Sequence, residues 1–340
     1  MKLDTIVNSI EKFSAFLAIS LNAFLIYLII TKSPKQLGAY KYLLLYISWF
    51  EIFYSILSTI VSPIIFSSGT TFIVMAHPTP HISKSFLFFL VATWCSMFGI
   101  SMVIFSLNFV YRYFVSSGSR LLKTFDDYRI VYWMSIPIFC GVAWCGLCYL
   151  ITSTDQINNS LRDEVLETFD WKIDDIAYVG VCFFEKLSDG TYVADIQSIS
   201  LIIICAVVIV SSTSIMFVCG YRCYRQLQVL INKKDMKSKN FNRLQSQLFY
   251  ALITQTIIPI ILMHFPVFIL YLAALLDRNL GTLSSIISIT IVLFPVFDPI
   301  PTMFLIKNYR TAIITMIRSI SWRKILQKKL KLVKNSNCVQ

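Results

Sequence analysis

Seven long apolar stretches, almost free of charged residues, constrain this 340-residue chain more than any other feature. They lie at about residues 13–31, 42–66, 85–111, 130–152, 197–221, 246–273 and 284–306. Each exceeds the roughly 18 residues that a helix needs to cross a bilayer, and none alternates as a barrel strand does. The composition, 56% apolar and 14% charged, is also that of a membrane protein. We therefore predict an all-α membrane domain, residues 13–306, built as a bundle of seven transmembrane helices.

Positive charge is concentrated on one side of this predicted bundle. If the loops alternate between sides, the segments after spans one, three, five and seven hold 23 of the 30 Lys and Arg residues. Positive loops remain cytoplasmic, so residues 1–12 are predicted to be extracellular and residues 307–340 a basic cytoplasmic tail. Orientation in a membrane thus explains the net charge of +12, and we expect no nucleic-acid partner. The first span is expected to be an uncleaved anchor, since it lacks a cleavage pattern.

The loop between spans four and five, residues 153–195, is the longest and carries ten acids against three bases. It also contains a glycosylation sequon at Asn158, which is meaningful only on an extracellular or lumenal face. The sequon therefore agrees with the predicted orientation. The acidic residues form either a solvated lid or a surface that attracts cations, and both interpretations stay open.

The tail after span seven is predicted to begin with a short amphipathic helix. Isoleucines are spaced for one face and bases for the other: Ile313, Ile317 and Ile320 against Arg310, Arg318, Arg323 and Lys324. Such a helix would lie on the anionic lipid of the inner leaflet. Calmodulin binding uses the same pattern and remains an alternative.

Enzyme chemistry and cofactor binding have little support in the sequence. Most of the nine cysteines lie inside spans, and the pair Cys145 and Cys148 has no partner histidines, which favours packing over metal binding. Neither an HExxH nor a GxSxG motif is present. We therefore expect no enzyme, no metal and no cofactor.

Three polar residues are predicted to share the middle of the membrane. Counting 1.5 Å per residue from the nearest charged boundary places Asn22, Glu51 and Asp298 about 13 to 15 Å deep, half of a ~30 Å core. An isolated charge there costs at least ~2.5 kcal/mol, so we expect the three side chains to face one another. Two close carboxyls would share a proton or bind a cation.

Prolines accompany this predicted cluster. Pro299 and Pro301 follow Asp298 directly and remove helix hydrogen bonds, so we interpret Asp298 and Pro299 as a hinge, with Pro259 as a second bend in span six. The alternative is that Asp298 only satisfies backbone groups freed by the prolines, and that Glu51 has another partner.

A basic residue, Arg112, ends span three, with Asn108 one turn deeper and Tyr111 and Tyr113 beside it. It is either a snorkelling arginine or a guanidinium that holds one helix arrangement and releases it in another.

Four segments carry a resemblance to a known family: "LGAYKYLLLYISWFEIFYSI", "FVYRYF", "LQSQLFYALITQTIIPIILMHFP" and "FPVFDPIPTMFLIKNYR". Together they resemble the nematode serpentine chemoreceptors of the Str class, which are olfactory-type G-protein-coupled receptors. The resemblance implies a multi-pass plasma-membrane receptor of chemosensory neurons, in the cilium, that detects a small volatile molecule and activates a heterotrimeric G protein. Pairing with a second receptor copy stays open.

The resemblance also assigns residues. Tyr111, Arg112 and Tyr113 would belong to the G-protein face, and Asp298 with Pro299 to a switch in span seven. The chain departs from the broader receptor pattern at position 111, where an acid is usual, and at Thr302, where a tyrosine is usual.

Ligand is expected in the outer half of the bundle. The candidates on spans three and six are Trp94, Met97, Met263, His264 and Phe268. Ordinary helix packing is the alternative for each of them. The receptor class also implies a disulfide between span three and the long outer loop, here Cys95 with Cys182. By helical rise Cys95 lies about 26 Å from Arg112, so Cys182 would have to reach inward.

A different class of protein also fits a pair of carboxyls at the midplane. Such a pair can carry protons or sodium, so an ion-coupled transporter or a ligand-gated channel is the alternative function.

Overall fold

The computed structural model describes residues 3–79, 82–152, 154–186, 191–232, 239–280 and 283–319. Within these residues, seven helices are long and apolar enough to cross a membrane. Five spans are single helices: Leu3–Lys32, Tyr40–Val61, Lys84–Ser117, Ile130–Ile151 and Ile196–Asn232. Span six consists of Lys239–Pro259, a π-helical segment Ile260–His264 and Phe265–Leu275. Span seven consists of Leu283–Phe297 and Pro299–Leu305. The predicted seven-helix membrane bundle is thereby confirmed.

Several helices end at other residues than the predicted spans do. Span two ends at Val61 and not at residue 66, because Ser62 adopts a left-handed conformation (φ 44°) and Pro63 has no N–H to continue the helix. Span three runs past the predicted limit at residue 111 to Ser117, where Gly118 (φ 60°) caps it. Span five continues to Asn232, well beyond residue 221. Charged residues do not end these helices because the helices extend beyond the apolar core.

Proline chemistry explains the two interrupted spans. In span six the π-helical turn follows Pro259, which cannot donate the regular backbone hydrogen bond. In span seven the helix breaks at Asp298, with Pro299 in the first position of the next segment. Both breaks lie deep in the bundle and divide each span into two segments.

Two small antiparallel sheets, which the sequence analysis did not predict, cover one end of the bundle. Strands β1 (Pro63–Ser68), β2 (Thr71–Ala76) and β3 (Tyr178–Cys182) form the first sheet in that order. Strands β4 (Phe184–Lys186) and β5 (Tyr192–Ala194) form the second. Gly69, at φ 53°, makes the two-residue turn between β1 and β2. We call this end of the molecule the sheet end and the opposite end the tail end.

The first sheet is apolar on both faces. In β2, Phe72 and Val74 pack into the main core of the bundle, whereas Ile73 and Met75 pack under the loop helix Thr154–Phe169. This alternation is the period of two expected of a strand. Strands β1 to β3 and the loop helix therefore form two stacked layers, the cap, over the sheet end.

The acidic loop is a folded element and not only a solvated lid. Ile157, Leu161 and Val165 of the loop helix are buried against the sheet. On its polar side Arg162 forms a 2.8 Å ion pair with Asp174, an exposed contact that adds little stability. The apolar face of the loop helix, and not its charge, therefore holds the cap together.

Span three lies in the middle of the bundle and packs against spans two, four, five and six. Small residues allow its closest approach, to span four: a Cβ on Gly99 would lie 2.5 Å from the Trp144 ring, and one on Gly141 2.3 Å from Ile100. Glycine at these two positions is thus required by packing.

The tail begins with a helix over residues 307–319, as expected. Tyr309 is fully buried, and its hydroxyl lies 2.7 Å from that of Ser33 in the first loop. Ile313 packs against the bundle, whereas Ile317 is 61% exposed. The predicted residues Ile320, Arg323 and Lys324 lie outside the described residues.

Candidate functional site

An apolar cavity of about 80 Å³ lies between the bundle and the cap. Trp94 and Met263, two of the predicted ligand residues, line it, whereas Met97 is buried elsewhere in the core. Strand residues such as Phe72 and Val181 close it from the sheet end. The cavity is large enough for several waters or one small organic molecule, and its lining favours an apolar one.

A second space, a cleft of about 460 Å³, opens between spans five and six. His264 and Phe268, also predicted ligand residues, line this cleft and not the internal cavity. Four of the five predicted ligand residues are therefore divided between two spaces, and Met97 lines neither. The cleft and the cavity share six lining residues: Phe98, Trp144, Ile202, Cys205, Val267 and Tyr271.

The three midplane polar residues meet in the interior. Asn22, Glu51 and Asp298 are at most 1% exposed, and the Glu51 carboxyl faces both of the others. With both carboxyls ionised, neither Glu51 oxygen has a hydrogen-bond donor among the described residues. A carboxylate pair cannot supply its own donor, so the buried pair requires either a shared proton or a bound cation.

Asn22 repairs the backbone break that the prolines cause. Pro299 has no N–H to donate to the carbonyl of Pro295, four residues earlier. The Nδ2 of Asn22 donates to that carbonyl instead, at 3.2 Å. The side chain that satisfies the free carbonyl of Pro295 is therefore that of Asn22, and not that of Asp298 as in the alternative interpretation.

Asp298 is held by span six. The Nε2 of Gln255 donates to Asp298 Oδ2 at 2.9 Å, and both residues are buried. Gln255 lies one turn before Pro259 and the π-helical segment. The carboxyl pair thereby connects spans two, six and seven.

Arg112 is a buried residue and not a snorkelling one: only 2% of it is exposed. Its Nη1 donates to Gln245 Oε1 on span six at 2.7 Å, and its guanidinium stacks 3.4 Å from the centroid of the Tyr40 ring on span two. Tyr111 in turn stacks on Tyr40, with 5.5 Å between the ring centroids. We call the bond between Arg112 and Gln245 the Arg112 contact.

The neighbours of Arg112 do not form one group with it. Asn108 is fully buried but donates to Ile104 O of its own helix, at 2.8 Å. Tyr113 turns away, toward Arg222 on span five, whose guanidinium lies 5.8 Å from its ring centroid. Among the predicted residues, only Arg112 and Tyr111 therefore belong to the same packed set.

Comparison with known proteins places this arrangement in a family. The model of the serpentine type seven-transmembrane chemoreceptor family Str matches residues 7–314. The chain belongs to the Str family of chemoreceptors. It is 32% identical to G-protein coupled receptor str-217 of Caenorhabditis elegans over 316 residues, 91% of this chain and 89% of that protein. It is 27% identical to serpentine receptor class r-10 of the same nematode, covering 92% of this chain and 91% of that protein.

Membership of the Str family settles the broad class of this protein. The chain is a chemoreceptor-type G-protein-coupled receptor, a multi-pass membrane protein and a receptor rather than an enzyme. The transporter or channel alternative is not favoured by these matches. A receptor of this class has a ligand and a G-protein partner in general terms.

The expected disulfide of this receptor is wrong. Cys95 and Cys182 are free thiols, and the Cys95 thiol lies beside that of Cys148 on span four. Cys182 points to the loop-helix face of β3, whereas Cys95 lines the cavity on the other face. Burial raises the pKa of the Cys182 thiol, which keeps it protonated.

The sequon residue of the receptor, Asn158, lies within the loop helix. Its Nδ2, the atom that would carry a glycan, donates to Asp174 Oδ1 at 3.1 Å, and its Oδ1 accepts from the Tyr178 hydroxyl at 2.7 Å. Asn158 therefore has a structural role in the cap, and its glycosylation stays a prediction.

Three residues of the receptor's site were missed from the sequence: Tyr40, Gln245 and Gln255. Gln255 was recognisable as an uncharged amide inside an apolar span, where polar side chains need buried partners, whereas Gln245 lies one residue before the predicted start of span six. Tyr40 gave no such signal because a tyrosine at the end of a span is an ordinary interfacial residue.

Proposed function

We propose that this receptor detects a small apolar molecule between its helices and transmits the signal to a heterotrimeric G protein at the tail end. The single observation that carries the proposal is that span six takes part in both places. Its sheet-end half lines the internal cavity through Met263, and its tail-end half holds Asp298 and Arg112 through two glutamines.

The break in span six provides the connection between these places. Pro259 lies between the two glutamines and the span-six residues that line the cavity, and the π-helical segment Ile260–His264 that follows it contains the first of these, Met263. Such segments interrupt the regular hydrogen-bond ladder and are frequent at functional sites. The sheet-end half of span six therefore moves relative to its tail-end half at the lowest cost at this break. Pro259 acts as the bend point in this proposal.

Two buried contacts stabilise the closed arrangement at the tail end. The Arg112 contact joins spans three and six, and the bond from Gln255 to Asp298 joins spans six and seven. A ligand can shift the equilibrium only if it binds the open arrangement more tightly. In this proposal that arrangement breaks the Arg112 contact and exposes Arg112 to the G protein, whereas Asp298 and Pro299 act as the hinge of span seven.

Ligand size sets the expected affinity. A molecule of ~6 heavy atoms that gains roughly 1 kcal/mol per atom binds with ~6 kcal/mol, a dissociation constant in the tens of micromolar. Small volatile compounds have this size, and the proposed role is therefore olfactory, in the ciliary membrane of a chemosensory neuron. Signal gain after the receptor would then supply the sensitivity.

The proposed orientation has the sheet end outside. It is supported by the concentration of Lys and Arg at the tail end and by the acidic cap. The tail helix, with Arg310 and Arg318 exposed, would then lie on anionic inner-leaflet lipid. Pairing with another receptor copy remains open in this proposal.

The proposal is tested by expressing the chain with cAMP and calcium reporters and screening small volatile compounds. We expect a response to at least one chemical class, and loss of that response with normal surface expression in Arg112→Ala. Ligand-dependent current or flux through the purified protein in liposomes, without G-protein activation, would instead support the transporter or channel alternative.

A further inference from the structure

The cap closes the direct route into the internal cavity from the sheet end. Strands β2 and β3 are buried along their whole length, and the loop helix covers their other face. Gly180 on β3 shows how tight this packing is, because a Cβ there would lie 2.6 Å from Ile73. A molecule dissolved in water therefore meets two packed layers before it reaches the cavity.

The cleft between spans five and six offers another route. Apolar side chains within the membrane-spanning region form its rim and are strongly exposed: Ile203 56%, Val210 63%, Phe268 60%, Leu272 43% and Leu275 48%. Exposed apolar side chains at this depth face lipid hydrocarbon. At its inner side the cleft shares Phe98, Trp144 and Tyr271 with the cavity. No more than one layer of side chains therefore separates lipid from the cavity.

The ring of His264 adds two nitrogen atoms to the mostly apolar lining of the cleft. His264 Nε2 lies 3.4 Å from Ser101 Oγ, and its Nδ1 is shielded from water and has no hydrogen-bond partner in the described parts of the chain. The single hydroxyl hydrogen of Ser101 is already donated to Phe98 O at 2.8 Å. Nε2 must therefore be the donor to Ser101, which leaves Nδ1 as an unpaired acceptor.

We propose that ligand enters this receptor sideways from the bilayer, through the cleft between spans five and six, and that His264 Nδ1 accepts a hydrogen bond from it. The ligand class is a lipid-soluble molecule with an apolar body and one hydroxyl donor, such as an aliphatic alcohol. This inference rests on the proposed function only for its signalling consequence, because entry and binding need no G protein.

Binding in nanodiscs tests the ligand class with two probes of matched size, 1-octanol and 1-methoxyheptane. The full-length receptor should bind the alcohol about tenfold more tightly than the ether, which cannot donate, as read from the concentration that half-saturates the shift in Tm. His264→Phe should abolish this preference. His264→Gln should abolish the preference as well, because the glutamine amide can donate a hydrogen bond to the ether. With two variants, the test still gives an answer if one of them does not fold. A preference that survives either substitution in folded protein overturns the role of His264.

The cleft, as the place of both entry and binding, is tested by a substitution that fills it without touching the cavity. Ala206 lines the cleft but not the cavity, and its neighbour Val207 faces lipid and lines neither space. Ala206→Trp should abolish the Tm shift by 1-octanol, whereas Val207→Trp should leave it unchanged. An unchanged shift in Ala206→Trp overturns the lateral route. Absence of G-protein activation by any compound would contradict the proposed function but not these binding results.

Discussion

Removal of the Gln245 amide should raise the basal activity of the receptor. In Gln245→Ala, the buried guanidinium of Arg112 loses the hydrogen bond of 2.7 Å that ties span three to span six. A hydrogen bond to a charged group contributes about 1.5 to 3 kcal/mol. The stacking of Arg112 on Tyr40 does not involve span six and remains, so the substitution weakens the closed arrangement selectively.

The magnitude follows from the population of the open arrangement. If that arrangement is about 1% populated without ligand, a loss of about 1.5 kcal/mol from the closed one raises it to roughly 10%. Basal nucleotide exchange on the G protein, measured with purified receptor in nanodiscs, should then rise about tenfold. The matched control is Thr254→Ala, which removes only a bond within span six, from Thr254 Oγ1 to Tyr250 O at 2.9 Å.

Two results would refute this reasoning. If Gln245→Ala lowers thermal stability but leaves basal exchange at the wild-type level, the Arg112 contact supports the fold without controlling the equilibrium. If Thr254→Ala raises basal exchange as much as Gln245→Ala does, the effect belongs to general weakening of span six.

Three further predictions concern stability. Glu51→Gln keeps a donor for the neighbouring carboxylate, so its free energy of unfolding should lie within about 1 kcal/mol of wild type, whereas that of Glu51→Leu should fall by about 1 to 3 kcal/mol. Equal losses in thermal melts would argue against the shared proton. Gly99→Ala forces the Trp144 ring to move and should cost about 1 to 3 kcal/mol, while Gly146→Ala, with open space around its Cβ, should cost almost nothing; a reversed order contradicts the packing. Cys182→Ala should retain surface expression because Cys182 is a free thiol, whereas loss of a structural disulfide would cost about 2 to 5 kcal/mol. Loss of expression in Cys182→Ala and in Cys182→Ser alike would instead indicate a disulfide.

The number of spans was predictable because it depends on local sequence. Apolar length alone decides where a helix can cross a bilayer, and helical rise converts sequence position into depth. Asn22, Glu51 and Asp298 meet because none of them has an inexpensive alternative in hydrocarbon. In these respects the membrane restricts the structures available more than water would.

The cap and the exact partners were not predictable from the same signals. Residues 63–66 are as apolar as the helix before them, so only Pro63 and the turn at Gly69 could have indicated strands. The pairing of β2 with β3 joins residues more than a hundred positions apart in the chain, which no local pattern encodes. The choice of Gln245 as the partner of Arg112 likewise depends on how spans three and six pack. A neutral amide can pair with many polar groups, so its residue type does not indicate which one it contacts.

The most direct test of the central claim measures the separation of spans three and six at the tail end. Spin labels at Ser117 and Phe241, exposed residues near the tail ends of these spans, would report it by pulsed electron resonance in nanodiscs. Wild type without ligand should give mainly one short distance, and Gln245→Ala should add a second, longer population that Thr254→Ala does not show. A single unchanged distance in Gln245→Ala would mean that the Arg112 contact does not hold the bundle closed.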